Sequence, residues 1–89
     1  MQYVDSWVWL EYVLPGPHCK KAEVILRSIE EGGEKAVFSS LGLTEVYCQV
    51  VRSLGEMRAE EVCSIIESMH NLFVVPVNND IAKKAAYYR

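Results

Sequence analysis

AVFSSLGLTEVYCQVVRSL, residues 36–54, joins two hydrophobic periods with almost no linker between them. Ala36-Val37-Phe38 is a short unbroken apolar run of the kind found in strands covered on both faces. From Leu43 onward the apolar residues Val46, Tyr47, Val50, Val51 and Leu54 recur at three- and four-residue steps, while Glu45, Gln49 and Arg52 fall on another face with Cys48 beside them. Between the two, Ser39-Ser40 offers hydroxyls that can cap a helix N-terminus. A strand that turns at once into a helix is half of a βαβ unit, so the stretch predicts a parallel α/β sheet joined by right-handed crossovers.

The flanking sequence repeats the alternation. Upstream, Gln2-Tyr3-Val4 is an extended start that reaches Asp5, and a dense apolar helix follows through Trp7, Trp9, Tyr12 and Leu14 until Pro15-Gly16-Pro17 stops it. That helix carries Glu11 as its one charge, which predicts cover by more than one neighbour. From His18 to Glu31, Ala22, Ile25, Leu26 and Ile29 form an apolar stripe opposite Lys20, Lys21, Glu23, Arg27 and Glu30, and Gly32-Gly33 ends it.

Downstream, Gly55 separates the central helix from a second one whose inward residues are Val62, Ile65, Ile66 and Met69, so a helical hairpin is expected. Leu72 to Val77 reads as a third, doubly covered strand, and Asn78-Asn79-Asp80 caps a last helix from Ile81 to Tyr88. The order is β-α-α-β-α-α-β-α in a single domain over residues 1–89, with no repeat or linker. Its apolar pattern still runs at Tyr87-Tyr88-Arg89, which suggests a fold shortened at its C-terminal end.

Composition narrows the function classes. Half the residues are hydrophobic (51%) and 24% are charged, which excludes a disordered segment. The net charge of −3 denies the molecule a general positive field, so contact with nucleic acid must be local or metal-mediated. Cys19, Cys48 and Cys63 are odd in number and widely spaced, which fits reduced thiols in a cytoplasmic protein better than a disulfide framework or a metal knuckle. The N-terminus has acidic residues and no basic lead into its apolar stretch, and the longest uncharged run, Ser68 to Asn79, is too short to cross a bilayer; no membrane partner is expected. No glycine-rich phosphate loop follows the first strand, which argues against a nucleotide binder.

Ligands of open parallel sheets bind beyond the carboxyl ends of the strands. Asp5 stands at such an end, and Glu45, early in the helix after the second strand, points toward the same rim. The plain readings are an N-cap for Asp5 and a solvated helix glutamate for Glu45. Their shared placement suggests more. Two carboxylates brought close are costly unless a proton or a cation joins them, and a hard, oxygen-seeking ion is the usual bridge. His18 and His70 read as helix-end residues, and Lys20, Lys21 and Arg27, alternating with glutamates, as a solvated face. Trp7, Trp9 and Tyr12 could stack on bases but read better as core or subunit packing.

Tyr3-Val4-Asp5-Ser6, then Ser39-Ser40-Leu41-Gly42-Leu43-Thr44-Glu45-Val46-Tyr47, then Asn71 to Val77 leading to Asp80-Ile81-Ala82-Lys83-Lys84-Ala85-Ala86 resemble the N-terminal part of a PIN domain, and most of all the VapC-type toxin ribonucleases. The order and spacing of these motifs run along essentially the whole chain. The resemblance implies a three-layer α/β/α fold with a short parallel sheet, truncated at the C-terminus. It also implies a Mg²⁺- or Mn²⁺-dependent endoribonuclease in which a metal-activated water attacks a phosphodiester of RNA. By motif match, Asp5 and Glu45 are its catalytic, metal-holding residues, and Ser6 steadies the first carboxylate. Asp80 matches a capping position. The family's later acidic residues would follow Arg89, so the 89-residue chain is expected to be feeble or inactive. In that fold the first strand lies centrally, so the side near Tyr3, Trp7 and Trp9 is expected to meet a second copy or a complementing chain; an antitoxin protein is a further partner the resemblance implies. The alternative is a non-catalytic interaction module that folds with a partner, Asp5 and Glu45 then being a cap and a surface charge.

Overall fold

A computed structural model describes residues 2–33 and 35–76. Its three strands, β1 (Gln2–Tyr3), β2 (Ala36–Ser39) and β3 (Leu72–Val75), lie parallel in the order β1-β2-β3. Gln2 pairs with Ala36 and Tyr3 with Val37 on one side of β2, and Ala36 through Ser39 pair with Leu72 through Val75 on the other. The Val4 N–H, donating to the Val37 carbonyl at 3.0 Å, carries the β1 pairing up to the residue before Asp5. Among the described residues β2 is therefore the middle strand. Ala36, Val37 and Phe38 are all buried, as an unbroken apolar run requires of a strand covered on both faces.

Four helices connect the described strands: α1 (Ser6–Val13), α2 (Cys19–Glu30), α3 (Ser40–Leu54) and α4 (Glu56–Ser68). The chain is thus an α/β protein with a short parallel sheet. Helix α1 packs on both α2 and α3, and α3 and α4 lie together as the expected hairpin against β2 and β3. Gly55, between α3 and α4, has φ +92°, a backbone state that other residues adopt only with strain. The core joins Val4, Val8, Trp9, Leu26, Ile29, Phe38, Val46, Val50, Val62 and Ile66 into one cluster.

Several expectations are corrected. Ile65 is 60% exposed, whereas Ala59 is buried beside Val62 and Ile66. The inward stripe of α4 thus runs 59-62-66, with half-buried Met69 following as the C-cap, because a helix packed mainly on one partner buries one narrow face. Leu54, at the end of α3 beside the Gly55 turn, is exposed as well. Phe73 is 48% exposed, so β3 is not covered on both faces: Leu72 is buried and Val74 packs on the core, while Phe73 alternates to the other side. Helix α1 is less enclosed than its composition suggests, with Trp7 37% and Tyr12 47% exposed. Val77, Asp80 and the expected Ile81 to Tyr88 helix lie outside the described residues.

Candidate functional site

Asp5 caps α1 from an extended backbone, and its Oδ1 accepts the Ser6 backbone N–H at 2.7 Å. The plain reading of Asp5 as an N-cap is therefore correct. It does not exhaust the residue, because the cap places the next side chain, Ser6, in the buried interior of the rim at 8% exposure.

Glu45 reaches the same place from the other strand. Ser39 ends β2 and caps α3, its Oγ accepting the Gly42 N–H at 2.9 Å, so the strand converts to a helix within one residue. Gly42 lets that first turn sit directly on the core: a Cβ there would meet the Phe38 ring at 2.7 Å. Glu45 then emerges in the second turn of α3, half-buried, rather than in the first.

The two carboxylates meet at Ser6. Its Oγ donates to Glu45 Oε2 at 2.9 Å and stands 3.4 Å from Asp5 Oδ1. The two carboxylate oxygens are thus no farther apart than the sum of those two distances. A hydroxyl carries one proton, so at any instant the Ser6 hydrogen serves one carboxylate, and the shorter contact favours Glu45. The motif reading had Ser6 steadying Asp5 alone, and its bond to Glu45 was missed. The signal that could have found it is the position of Ser6 just inside an Asp cap at a strand's carboxyl end, where the side chain must face the adjoining crossover helix.

The donor chemistry of this pair suits a hard divalent cation. Carboxylate oxygens are the ligands Mg²⁺ prefers, and that ion is commonly held by one or two carboxylates together with waters and substrate phosphate. It does not form an all-protein cage: among the described residues no group of three or more His, Cys, Asp and Glu side chains is placed to hold a metal ion. Asp5 and Glu45 are the residues that could hold one end of such an ion.

The remaining candidates fall elsewhere. His18 is exposed ahead of α2, its backbone N–H donating to Glu11 Oε2 at 3.4 Å, and His70 is exposed in the turn after α4. Lys20, Lys21 and Arg27 are exposed as expected; Arg27 pairs with Glu23 at 2.6 Å, and the Lys21 Nζ lies 5.9 Å from the centre of the Trp7 ring. The three aromatic residues of α1 divide. Trp9 is core, 3% exposed and tilted against Phe38, so it cannot form the interface expected of it, whereas Trp7 and Tyr12 reach the surface. Among the described residues the buried Trp9 Nε1 finds no hydrogen-bond partner.

A second acidic patch lies between α3 and α4. Tyr47 Oη bonds to Glu60 Oε1 at 3.2 Å, and partial burial followed by Glu60 pushes the Tyr47 hydroxyl above its ordinary pKa. Burial, then Glu60 and Glu67, likewise pushes the Cys63 thiol up. These shifts keep both groups neutral and make Cys63 a poor nucleophile. All three cysteines are free thiols. No helix among the described residues is long and apolar enough to cross a membrane. Compared with protein families, curated proteins and solved structures, the chain finds no match in any of the three.

Proposed function

We propose that the chain carries a PIN-like, Mg²⁺- or Mn²⁺-dependent endoribonuclease site of the VapC toxin kind, with Asp5 and Glu45 as its metal-holding carboxylates. The observation that carries this reading is the Ser6 hydroxyl, which stands 2.9 Å from one carboxylate and 3.4 Å from the other at the carboxyl ends of adjacent parallel strands. Charge repulsion opposes gathering two acids around one hydroxyl, and a divalent cation is a group that would offset it.

A divalent ion at this pair would lower the pKa of bound water and neutralise charge developing on a phosphodiester. Asp5, fixed by its own cap to the start of α1, sets one side of the site. Glu45, fixed by the abrupt turn from β2 into α3, sets the other. Ser6 orients both. RNA is the substrate in this reading, and an antitoxin or a second copy of the chain is the partner it calls for.

The test is incubation of single-stranded RNA with the protein in Mn²⁺, read on a denaturing gel. Cleavage that disappears in chelator and in both Asp5→Asn and Glu45→Gln supports the reading. Cleavage unchanged in those variants contradicts it.

A second reading, a non-catalytic interaction module, is favoured by the absence of a third metal-ligating side chain beside the pair among the described residues. In that case Asp5 acts as a helix cap and Glu45 as the acceptor of the Ser6 hydroxyl. No cleavage, together with no effect of Mn²⁺ on stability, would select it.

A further inference from the structure

A cleft of about 360 Å³ opens between α1 and α3, lined by Trp7, Leu10, Glu11, Leu14, Gly16 and Gln49. Its place follows from the helical repeat. Trp7 succeeds Ser6 in α1, and Gln49 lies four residues, about one 5.4 Å turn, beyond Glu45 in α3. Trp7, Leu10, Glu11 and Leu14 follow the three- and four-residue steps that keep them on one side of α1.

The chemistry of the lining is specific. Trp7 offers an exposed indole, since Trp9 rather than Trp7 was taken into the core. Leu10 and Leu14 give apolar walls, and Gln49 adds an exposed amide able to donate and accept. The Glu11 carboxylate uses Oε2 to accept the His18 N–H at 3.4 Å and keeps acceptor capacity on the cleft side of α1. The Lys21 Nζ lies 5.9 Å from the centre of the Trp7 ring, held there by a weak cation–π contact that an incoming phosphate can outcompete.

We infer that this cleft is a nucleobase subsite for single-stranded RNA, with Trp7 as the stacking platform, Lys21 as the phosphate contact and Glu11 with Gln49 reading the edge of the base. A carboxylate in the cleft selects for a base whose Watson–Crick edge donates hydrogen bonds, and guanine, with N1–H and N2–H₂ adjacent, meets it with two. This inference rests on the endoribonuclease reading for its occupant. It adds what the acidic pair cannot supply: a sequence-tolerant stacking contact and a preference for one base, in a molecule whose net charge gives no general attraction to RNA.

The experiment is fluorescence anisotropy of labelled short RNA oligomers in chelator, where metal-dependent cleavage cannot contribute. One oligomer holds uridines alone and the other a single guanosine. The expected results are about tenfold tighter binding of the guanosine oligomer, about tenfold weaker binding in Trp7→Ala, and loss of the guanosine preference in Glu11→Gln. Gln49→Ala, at an exposed position, guards against misfolding of the tryptophan variant and should weaken binding by severalfold. Equal affinity for the two oligomers, no binding at all, or wild-type affinity in both Trp7→Ala and Gln49→Ala would overturn the inference. Because the assay excludes metal, its failure is separable from failure of the acidic pair, which is read by Mn²⁺-dependent stabilisation and by cleavage.

Discussion

Ser6 Oγ donates to Glu45 Oε2 at 2.9 Å across 39 residues of sequence, and this bond ties the start of α1 to the second turn of α3. It turns a local cap at Asp5 into a tertiary feature of the sheet rim.

Ser6→Ala should destabilise the fold. The hydroxyl is nearly buried and bonds to a carboxylate, a class of hydrogen bond worth about 1.5–3 kcal/mol. Urea unfolding at neutral pH should show a loss within that range, and a double-mutant cycle with Glu45→Gln should return a coupling above about 0.5 kcal/mol. Additive effects would mean that the bond does not persist in solution.

Gly42→Ala should also destabilise, although alanine is the better helix former by about 1 kcal/mol. The added methyl would lie 2.7 Å from the Phe38 ring, which is itself fully enclosed in the core, and overpacking of this kind costs about 1–3 kcal/mol. A fall of several degrees in Tm is expected, since 1 kcal/mol shifts a domain of this size by about 4–8 °C. A higher Tm would show that α3 stands farther from β2 than described.

Trp9→Phe should be milder than burial alone implies. The substitution removes a buried indole N–H that finds no partner among the described residues, whose burial carries a penalty of about 1–3 kcal/mol, and this offsets lost packing. We expect a loss below about 1 kcal/mol, against about 3–5 kcal/mol for Trp9→Ala. Equal losses in the two variants would indicate that the N–H is satisfied.

Stability should fall on the alkaline side. The pKa of Cys63 is raised above its ordinary 9.0, by burial first and then by Glu60 and Glu67, and that of Tyr47 above 10.0, by burial first and then by Glu60. A raised folded-state pKa favours the protonated form, so this contribution is complete below those values and lost as pH rises through and beyond them. The matching chemical test is thiol labelling near pH 8, where exposed Cys48 should react well before Cys63. Faster labelling at Cys63 would contradict the assignment.

The sequence made the sheet legible wherever period and cap agreed. Ser39 was identifiable as the hinge between β2 and α3 because an apolar run ended at a hydroxyl and a helical stripe began, and that same abruptness located Glu45. Asp5 was legible for a similar reason, as a capping residue at a strand end. Periodicity was less informative on how far each element is covered. Ile65 and Ile66 are equally apolar and adjacent, and only the docking of α4 on α3 decides that Ile66 is buried and Ile65 is not. Trp7 and Trp9 pose the same problem, two residues apart on a short helix with two neighbours. The bond from Ser6 to Glu45 was missed because its one signal, the place of Ser6 just inside an Asp cap at a strand end, points to the facing helix and not to the residue on it.

Thermal unfolding of the full chain with and without Mn²⁺ tests the central claim most directly, because it requires neither a known RNA nor turnover. If Asp5 and Glu45 receive the ion together, Mn²⁺ at about a hundred times its Kd should stabilise the protein by about 2.7 kcal/mol, a rise of several degrees in Tm, and both Asp5→Asn and Glu45→Gln should abolish the shift. A Tm indifferent to Mn²⁺, or a rise of the same size in both variants, would contradict it.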